Sequence, residues 1–494
     1  MPLQTSLNWH PLNFIKLGKY IFQIALLLLL WSGIQPAEAQ PNTLYFMKGI
    51  PQTKDLNPAR PGIYRGFYLS LPLFSKFDFE AGTNSWNYND LIHKGTGPQS
   101  GLLVVDLDHF IANIDNKNFF FESTALTILE GGFRNELNFF GFSFTEREIG
   151  QLTFNRDLIR LVKYGNYPFI GQTVYSGNLA LDALHFHQIA FNFSHDASKE
   201  LTIGFAAKLL FGTGTIHSEG INLRATSPAN GSYLDIATAG RVNISAPFTV
   251  NHNSDGQIES FSAYRDQSLG SFLSNFGNPG FAVDFGFAYR MGKRTEFSAS
   301  IIDLGVMFWK QDLTTMIENG HFFYQGIPLN DPTQPASATP TFQTLTAQLR
   351  QQFNTAFNPT YGASSFSTLL PAKIYFGVDY RLTDAISLSG LSRVRMINNT
   401  LHTSLTVSAN TQIKKTVSLS ASYSVMETTY NNLGLGIGVK AGPFQLYSTA
   451  DNLLAPIYPA KASNINLRIG INLLFGTRRN GLNQKIINPD CTTK

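Results

Sequence analysis

The chain has 494 residues with a formal net charge of +4, and only 14% of it is charged while 13% is aromatic, with 41 Phe and 19 Tyr. An average soluble chain carries about 25% charged residues, so this composition suits a protein whose surface meets lipid. A charge this small, with no basic stripe, excludes a nucleic-acid partner.

Lys16 and Lys19 precede an apolar run from Tyr20 to Trp31, followed by Ser32, Gly33, Pro36 and Ala37-Glu38-Ala39. That order is a secretory signal peptide over 1–39, with cleavage expected after Ala39. The run is shorter than the ~20 residues of a spanning helix. The single Cys, Cys491, allows neither a lipid-anchored N-terminus nor a disulfide framework. No later stretch reaches about 18 consecutive apolar residues, which removes helical spanning. An exported, lipid-facing chain without spanning helices is left with a closed β-barrel, because open sheet edges cannot be satisfied in hydrocarbon.

The strand signature appears as short alternating segments separated by turn residues. Phe281, Val283, Phe285, Phe287 and Tyr289 share one face, opposite Ala282, Asp284, Gly286, Ala288 and Arg290. Ile374, Phe376, Val378 and Tyr380 oppose Tyr375, Gly377, Asp379 and Arg381, and Val417 to Val425 alternate with four serines. Leu433, Leu435, Ile437 and Val439 oppose Gly434, Gly436, Gly438 and Lys440. In the last segment Ile465 to Phe475 provide the lipid face, with Asn466, Arg468, Gly470 and Asn472 on the other. A β-sandwich alternates too, but an exposed soluble sheet carries more Lys and Glu than these Gly, Ser, Asn and Thr positions.

About sixteen strands are expected, at 63–74, 119–130, 134–146, 183–194, 199–212, 234–246, 257–264, 280–290, 294–304, 372–381, 385–396, 401–411, 415–425, 431–441, 443–450 and 463–475. The sixth and seventh are weak, and counting them as a loop hairpin gives fourteen. With the first strand running outward, inner connections fall near 131–133, 195–198, 247–256, 291–293, 382–384, 412–414 and 442. The outer ones at 75–118, 147–182, 213–233, 265–279, 305–371 and 451–462 are mostly long, as barrel asymmetry requires. Helices are expected within 102–114 and 155–165, with Asp106 and Asn155 as N-caps. Trp309 and Tyr380 are candidates for interfacial girdles.

Catalytic and metal motifs are missing: there is no G-x-S-x-G, no H-E-x-x-H, no phosphate loop and no Cys pair. His185 and His187 share a strand face and suit an interfacial position better than a metal site or a lipid hydrolase. Asp284, Asp379, Lys440 and Arg468 fall on the polar face, where they either serve a lumen function or pair with one another to hold the barrel filled.

Six stretches, including TLYFMKGIPQTKDLNPARPG at 43–62, FNRDLIRLVKYGN at 154–166 and INLRIGINLLFG at 465–476, give a resemblance over nearly the whole mature chain. The chain resembles a Bacteroidota-type outer-membrane barrel family of unknown function, related in form to FadL-like transporters and PorP/SprF-like proteins. Asn57-Pro58-Ala59 looks like the NPA of the FadL-like proteins, where the N-terminal segment plugs the barrel. The resemblance thus implies a lumen hatch at 40–62; the residue types alone equally fit a tight turn.

The expected organisation is a signal peptide over 1–39, an N-terminal segment over 40–62, a transmembrane barrel over 63–476 with a loop insertion at 305–371, and a periplasmic tail over 477–494. The leading function is a plugged outer-membrane channel, not an enzyme, for small hydrophobic or amphipathic compounds. A structural component of a secretion or gliding apparatus and a barrel lipid hydrolase are the alternatives. Expected partners are outer-membrane lipid, a small hydrophobic ligand and, for the structural reading, envelope proteins. No cofactor is expected.

Overall fold

The computed structural model describes residues 42–476 except 64, 73–74, 85, 178, 247, 253–257, 264–276, 325–355, 357–358, 398–399, 415, 427–428 and 456. The expected signal peptide, the tail and much of 305–371 therefore lie outside the described residues.

Fourteen antiparallel strands close into one barrel. β1 is Gly66–Ser70 continued by Lys76–Thr83, β2 is Lys117–Arg134, β3 is Asn138–Asn155, β4 is Ala180–Asp196 and β5 is Leu201–Thr226. β6 comprises Leu234–Ser245 and Pro279–Met291, and β7 comprises Thr295–Trp309 and Leu313–Tyr324. β8 is assembled from Thr360–Gly362, Phe366–Leu369 and Lys373–Arg381. β9 Ile386–Ile397, β10 Thr400–Ile413, β11 Val417–Met426, β12 Thr429–Ala441, β13 Phe444–Ala450 and β14 Asn464–Phe475 complete the wall. Closure pairs Phe67 with Phe475 and Gly82 with Asn464, and the Phe67 and Phe475 rings stack at 4.8 Å. Every ladder is thus satisfied within the sheet, the condition for a strand in hydrocarbon.

The period-2 pattern sets the two solvents. Along β14, Asn464, Asn466, Arg468, Gly470 and Asn472 are buried, while Ile469 and Phe475 are exposed and the other odd positions are partly covered. Exposed Phe281, Phe285, Phe287, Phe376, Leu405, Val407, Tyr423, Leu433, Ile437 and Leu446 extend this apolar exterior around the wall. An apolar outer band on a closed barrel is the surface of an outer-membrane protein.

Several boundaries differ from the sequence reading. β1 ends at Ser70 and not at 74, because Pro72 has no N–H for the ladder; the strand then resumes at Lys76 and takes 76–83 from the expected outer loop. Gly131-Gly132 is not the inner turn, which instead falls at 135–137, where Asn135 Oδ1 accepts the N–H groups of Leu137 and Asn138. Gly132 sits in the wall because a Cβ there would lie 2.7 Å from Tyr68 and 2.8 Å from Phe139, two rings stacked inside the barrel.

The weak pair of expected strands also resolves differently. Residues 234–245 are wall, whereas Phe248–His252 and Ile258–Ala263 form a separate hairpin that interrupts β6; 247–256 is therefore not an inner connection. Asn278 stitches the interruption: its Nδ2 donates to Gly212 O and Ser245 Oγ, and its Oδ1 accepts from Lys310 N and Gln311 N. Leu313–Tyr324, expected within a loop, instead continues β7 and pairs with Leu234–Ser245.

Short helices cover the outer end: α1 Tyr88–Leu91, α2 Leu107–Asn113 and α3 Arg156–Tyr164. Asp106 caps α2 by accepting from His109 N, and Asn155 caps α3 by accepting from Asp157 N, each satisfying an otherwise orphaned first-turn donor. Trp86, Phe110, Ile114 and Phe154 pack beneath them.

Candidate functional site in the barrel lumen

Three layers fill the lumen, and their heights follow from how far each residue lies from the inner turns. Lowest is the body of the N-terminal segment, which runs from Asn42 to Ile63 and whose first two residues rise to the outer end of β13. Leu44, Tyr45, Phe46, Met47, Ile50 and Leu56 are buried there, and glycines of the wall make room for them.

This segment bonds to strands on all sides. Asp451, at the top of β13, accepts the N–H groups of Asn42 at 3.1 Å and Thr43 at 2.7 Å. Gln52 Nε2 donates to Asn472 on β14, Ser300 Oγ on β7 donates to Leu56 O, and Asn57 Nδ2 reaches Phe287 O on β6 and Ala299 O on β7. Asn57 also accepts from Ala59 N and donates to Tyr45 Oη, so its side chain both shapes a turn and fastens that turn to the wall.

An ionic chain ties the segment to β1 and β2. Lys76 Nζ meets Asp55 at 2.6 Å, Asp55 meets Lys54 at 2.6 Å, and Lys54 meets Glu130 at 2.8 Å. Tyr68 Oη then donates to Glu130. Burial opposes both charges, but the paired ions outweigh it: Lys54 and Lys76 hold the Asp55 carboxyl well below the usual carboxylate range, and Asp55 and Glu130 hold Lys54 above that of a free lysine.

Above the segment is a second ionic layer centred on Asp303. Its backbone is left-handed, φ 62°, a conformation costly for a non-glycine residue and concentrated at functional sites. It sits in a β-bulge of its own strand, where Ile302 and Asp303 together lie opposite Asp284 on the neighbouring strand. Arg147 on β3 binds the carboxylate through both terminal nitrogens at 2.9 and 3.0 Å, Lys208 on β5 approaches to 2.7 Å and Lys373 on β8 to 3.3 Å. Asp284 accepts the Asp303 N–H and a Lys208 contact at 2.7 Å. Five strands therefore meet through one carboxylate pair.

The third layer is apolar: Phe119, Phe121, Phe186, Leu210, Met307 and Trp309 form one buried cluster on the inner face. Guanidinium groups join it to the layer below, Arg395 lying 3.6 Å from the Phe121 ring centroid and Arg147 5.4 Å from that of Phe186. A cavity of about 100 Å³ runs from Asp55 and Leu56 past Glu80, Lys373, Tyr375 and Arg468. The lumen thus offers a ring-lined upper wall, a charged middle and a floor made by the N-terminal segment.

The residues singled out from sequence are distributed through this arrangement. Asp284 is part of the Asp303 layer, and Arg468 pairs with Asp78 on β1. Asp379, near the inner end, accepts from Ser389 Oγ at 2.5 Å, and Lys440 lies half-buried opposite Gln445. Asp379 and Lys440 are not brought to the cavity. Trp309 does not belong to a girdle; it is fully buried, with Nε1 donating to Thr368 Oγ1 at 2.9 Å. His185 and His187 are on the outer face and share Glu146, His185 Nε2 at 2.7 Å. Among the described residues no three acid, His or Cys groups are placed to hold a metal.

Sequence reasoning missed Asp303, Arg147, Lys208 and Lys373. The available signal was Asp303 itself, an acid that breaks the alternation in SASIIDLGV.

The pattern of the family described as "Family of unknown function (DUF5723)" matches residues 61–451. No curated protein matches the chain. Similar solved structures include the Ralstonia pickettii toluene transporter TbuX, at 11% identity over 89% of this chain and 99% of that one, with a TM-score of 0.40. The Pseudomonas putida toluene transporter TodX has 10% identity over 89% and 94%, TM-score 0.35. A Pseudomonas aeruginosa FadL homologue has 10% identity over 88% and 97%, TM-score 0.33.

Proposed function

The chain belongs to the DUF5723 family, and we propose that it is a plugged outer-membrane channel for small amphipathic compounds, with residues 42–62 as the plug. The observation that carries this reading is the stacking of layers inside a closed barrel. The buried rings of Phe121 and Phe186 sit on the inner face, each one step outward of a residue that lines the polar cavity, Ser123 and Gln188, and the floor of that cavity is the N-terminal segment. A guest with an apolar body and a polar head meets both surfaces in the order in which it descends.

Transport then requires the floor to move. Its polar anchors, Asp451 at one end and the Lys76–Asp55–Lys54–Glu130 chain at the other, hold it through contacts that exchange for water without unfolding the wall. Deleting residues 42–62 and recording in planar bilayers tests the reading. The deleted protein is expected to conduct well above the full chain; equal conductance with an intact barrel would remove the plug.

A further inference from the structure

One wall of the cavity holds more cationic groups than its carboxylates can serve. Arg393 on β9 is fully buried, and among the described residues none of its Nε, Nη1 and Nη2 atoms has a hydrogen-bond partner. Its ion-pair contact is Glu80 Oε1 at 3.6 Å, an oxygen that Arg395 also approaches at 3.5 Å. Arg393 lies 5.6 Å from the ring centroid of Tyr375, whose own buried hydroxyl has no hydrogen-bond partner among the described residues. Beside them Lys373 shares Asp303 with Arg147 and Lys208, and Arg468, paired with Asp78 through Nε, has no hydrogen-bond partner for Nη1 among the described residues.

Buried donors left unbonded are costly, the more so when charged. An anion arriving here would gain charge-assisted hydrogen bonds at a place already stripped of competing water. We infer that Lys373, Tyr375, Arg393 and Arg468 form a binding site for the carboxylate-type head of an organic anion. Lys373, Tyr375 and Arg468 line the cavity directly. Arg393 stands behind Tyr375 and Glu80, and reaches the guest once Glu80 yields its place to the incoming carboxylate. The inference deepens the channel reading and rests on it: it names the charge of the guest.

Trp309 supplies a reporter. Replacing Trp86 with Phe leaves it the sole tryptophan after residue 31, and it belongs to the ring layer. With purified full-length W86F protein, benzoate, toluene and benzylamine are titrated against Trp309 emission. Benzoate is expected to saturate the signal at concentrations about tenfold or more below toluene, with benzylamine weakest. R393Q and K373M should each weaken benzoate by about tenfold while leaving toluene unchanged, and E80Q should tighten benzoate. Folding of every variant is read from heat-modifiable gel mobility.

Equal binding of benzoate and toluene overturns the inference. So does a benzoate affinity unmoved in folded K373M, or weakened in folded E80Q, and those two variants decide the matter if R393Q fails to fold. Toluene binding without benzoate preference removes the anion site alone. Binding of no probe, together with a 42–62 deletion that does not conduct, removes the channel reading beneath it.

Discussion

The guanidinium of Arg147 and the carboxylate of Asp303 meet side by side across the lumen, Nη1 to Oδ1 at 2.9 Å and Nη2 to Oδ2 at 3.0 Å, from strands four apart in the wall. With Lys208 and Lys373 on the same carboxylate, Asp303 is the shared counter-ion of three buried cations, helped at Lys208 by Asp284. Asp303→Asn keeps the shape and removes the charge, and is expected to destabilise the barrel by about 3–5 kcal/mol, the range for breaking a buried ion pair. Unfolding in urea followed by gel mobility measures it. Asp303→Gly is the contrast, because glycine relieves the left-handed backbone but supplies no carboxylate. Wild-type stability in Asp303→Gly would show that the layer is not held by this charge.

How much of this was legible in the sequence depends on what each face meets. From β8 to β14 the lumen face is mostly Gly, Ser, Thr and Asn against an apolar exterior, so both period and register are visible, as in Ser418, Ser420 and Ser422 of β11 facing Gly438, Gly436 and Gly434 on β12. Around Leu210 on β5 and in the outer part of β7, at Met307 and Trp309, the inner face is itself apolar. The alternation disappears there, and Trp309 reads as a girdle residue. The bulge at Asp303 and the hairpin of Phe248–His252 with Ile258–Ala263 shift the phase again, which hides the ionic layer. Long-range pairing is what places Arg147 beside Asp303, and no local pattern encodes that partner.

Asp451 holds the far end of the N-terminal segment by two backbone N–H groups and the Thr43 hydroxyl. Asp451→Ala leaves those donors buried and unpaired, a loss of about 1–3 kcal/mol per group confined to the segment. Hydrogen exchange at 42–47 is expected to speed up while the strand amides keep wild-type protection. Unchanged exchange at 42–47 would show that the segment is held elsewhere.

The ionic chain through Asp55 makes the lower attachment pH-dependent in one direction. Its folded carboxyl lies well below the value of about 3.9 for an unfolded Asp, so its contribution is fully present above that unfolded value. The stabilisation declines as pH falls through the interval down to the folded pKa. Bilayer conductance of the full chain is therefore expected to stay at its closed level from neutral pH to about pH 4, rising only in stronger acid. Asp55→Asn should open at neutral pH; if it stays closed, Asp55 does not fasten the plug.

The backbone of the N-terminal segment comes close to the wall at Gly204 on β5, where an added Cβ would stand 2.2 Å from Pro58 C and 2.3 Å from Ala59 N. Both atoms are backbone, so no side-chain rotation relieves the overlap, and packed interiors answer an inserted methyl by displacing the softer partner. The wall is cross-linked by its ladder on both sides and the segment is not, so Gly204→Ala is expected to push residues 57–59 away from the wall. Gly390 on β9 has nothing within 4 Å of the same added atom and serves as control. Gly204→Ala should raise single-channel conductance with heat-modifiable mobility intact, and Gly390→Ala should change neither. If Gly204→Ala instead loses the barrel while the 42–62 deletion keeps it, the segment and wall form one rigid core and the plug does not move as a unit.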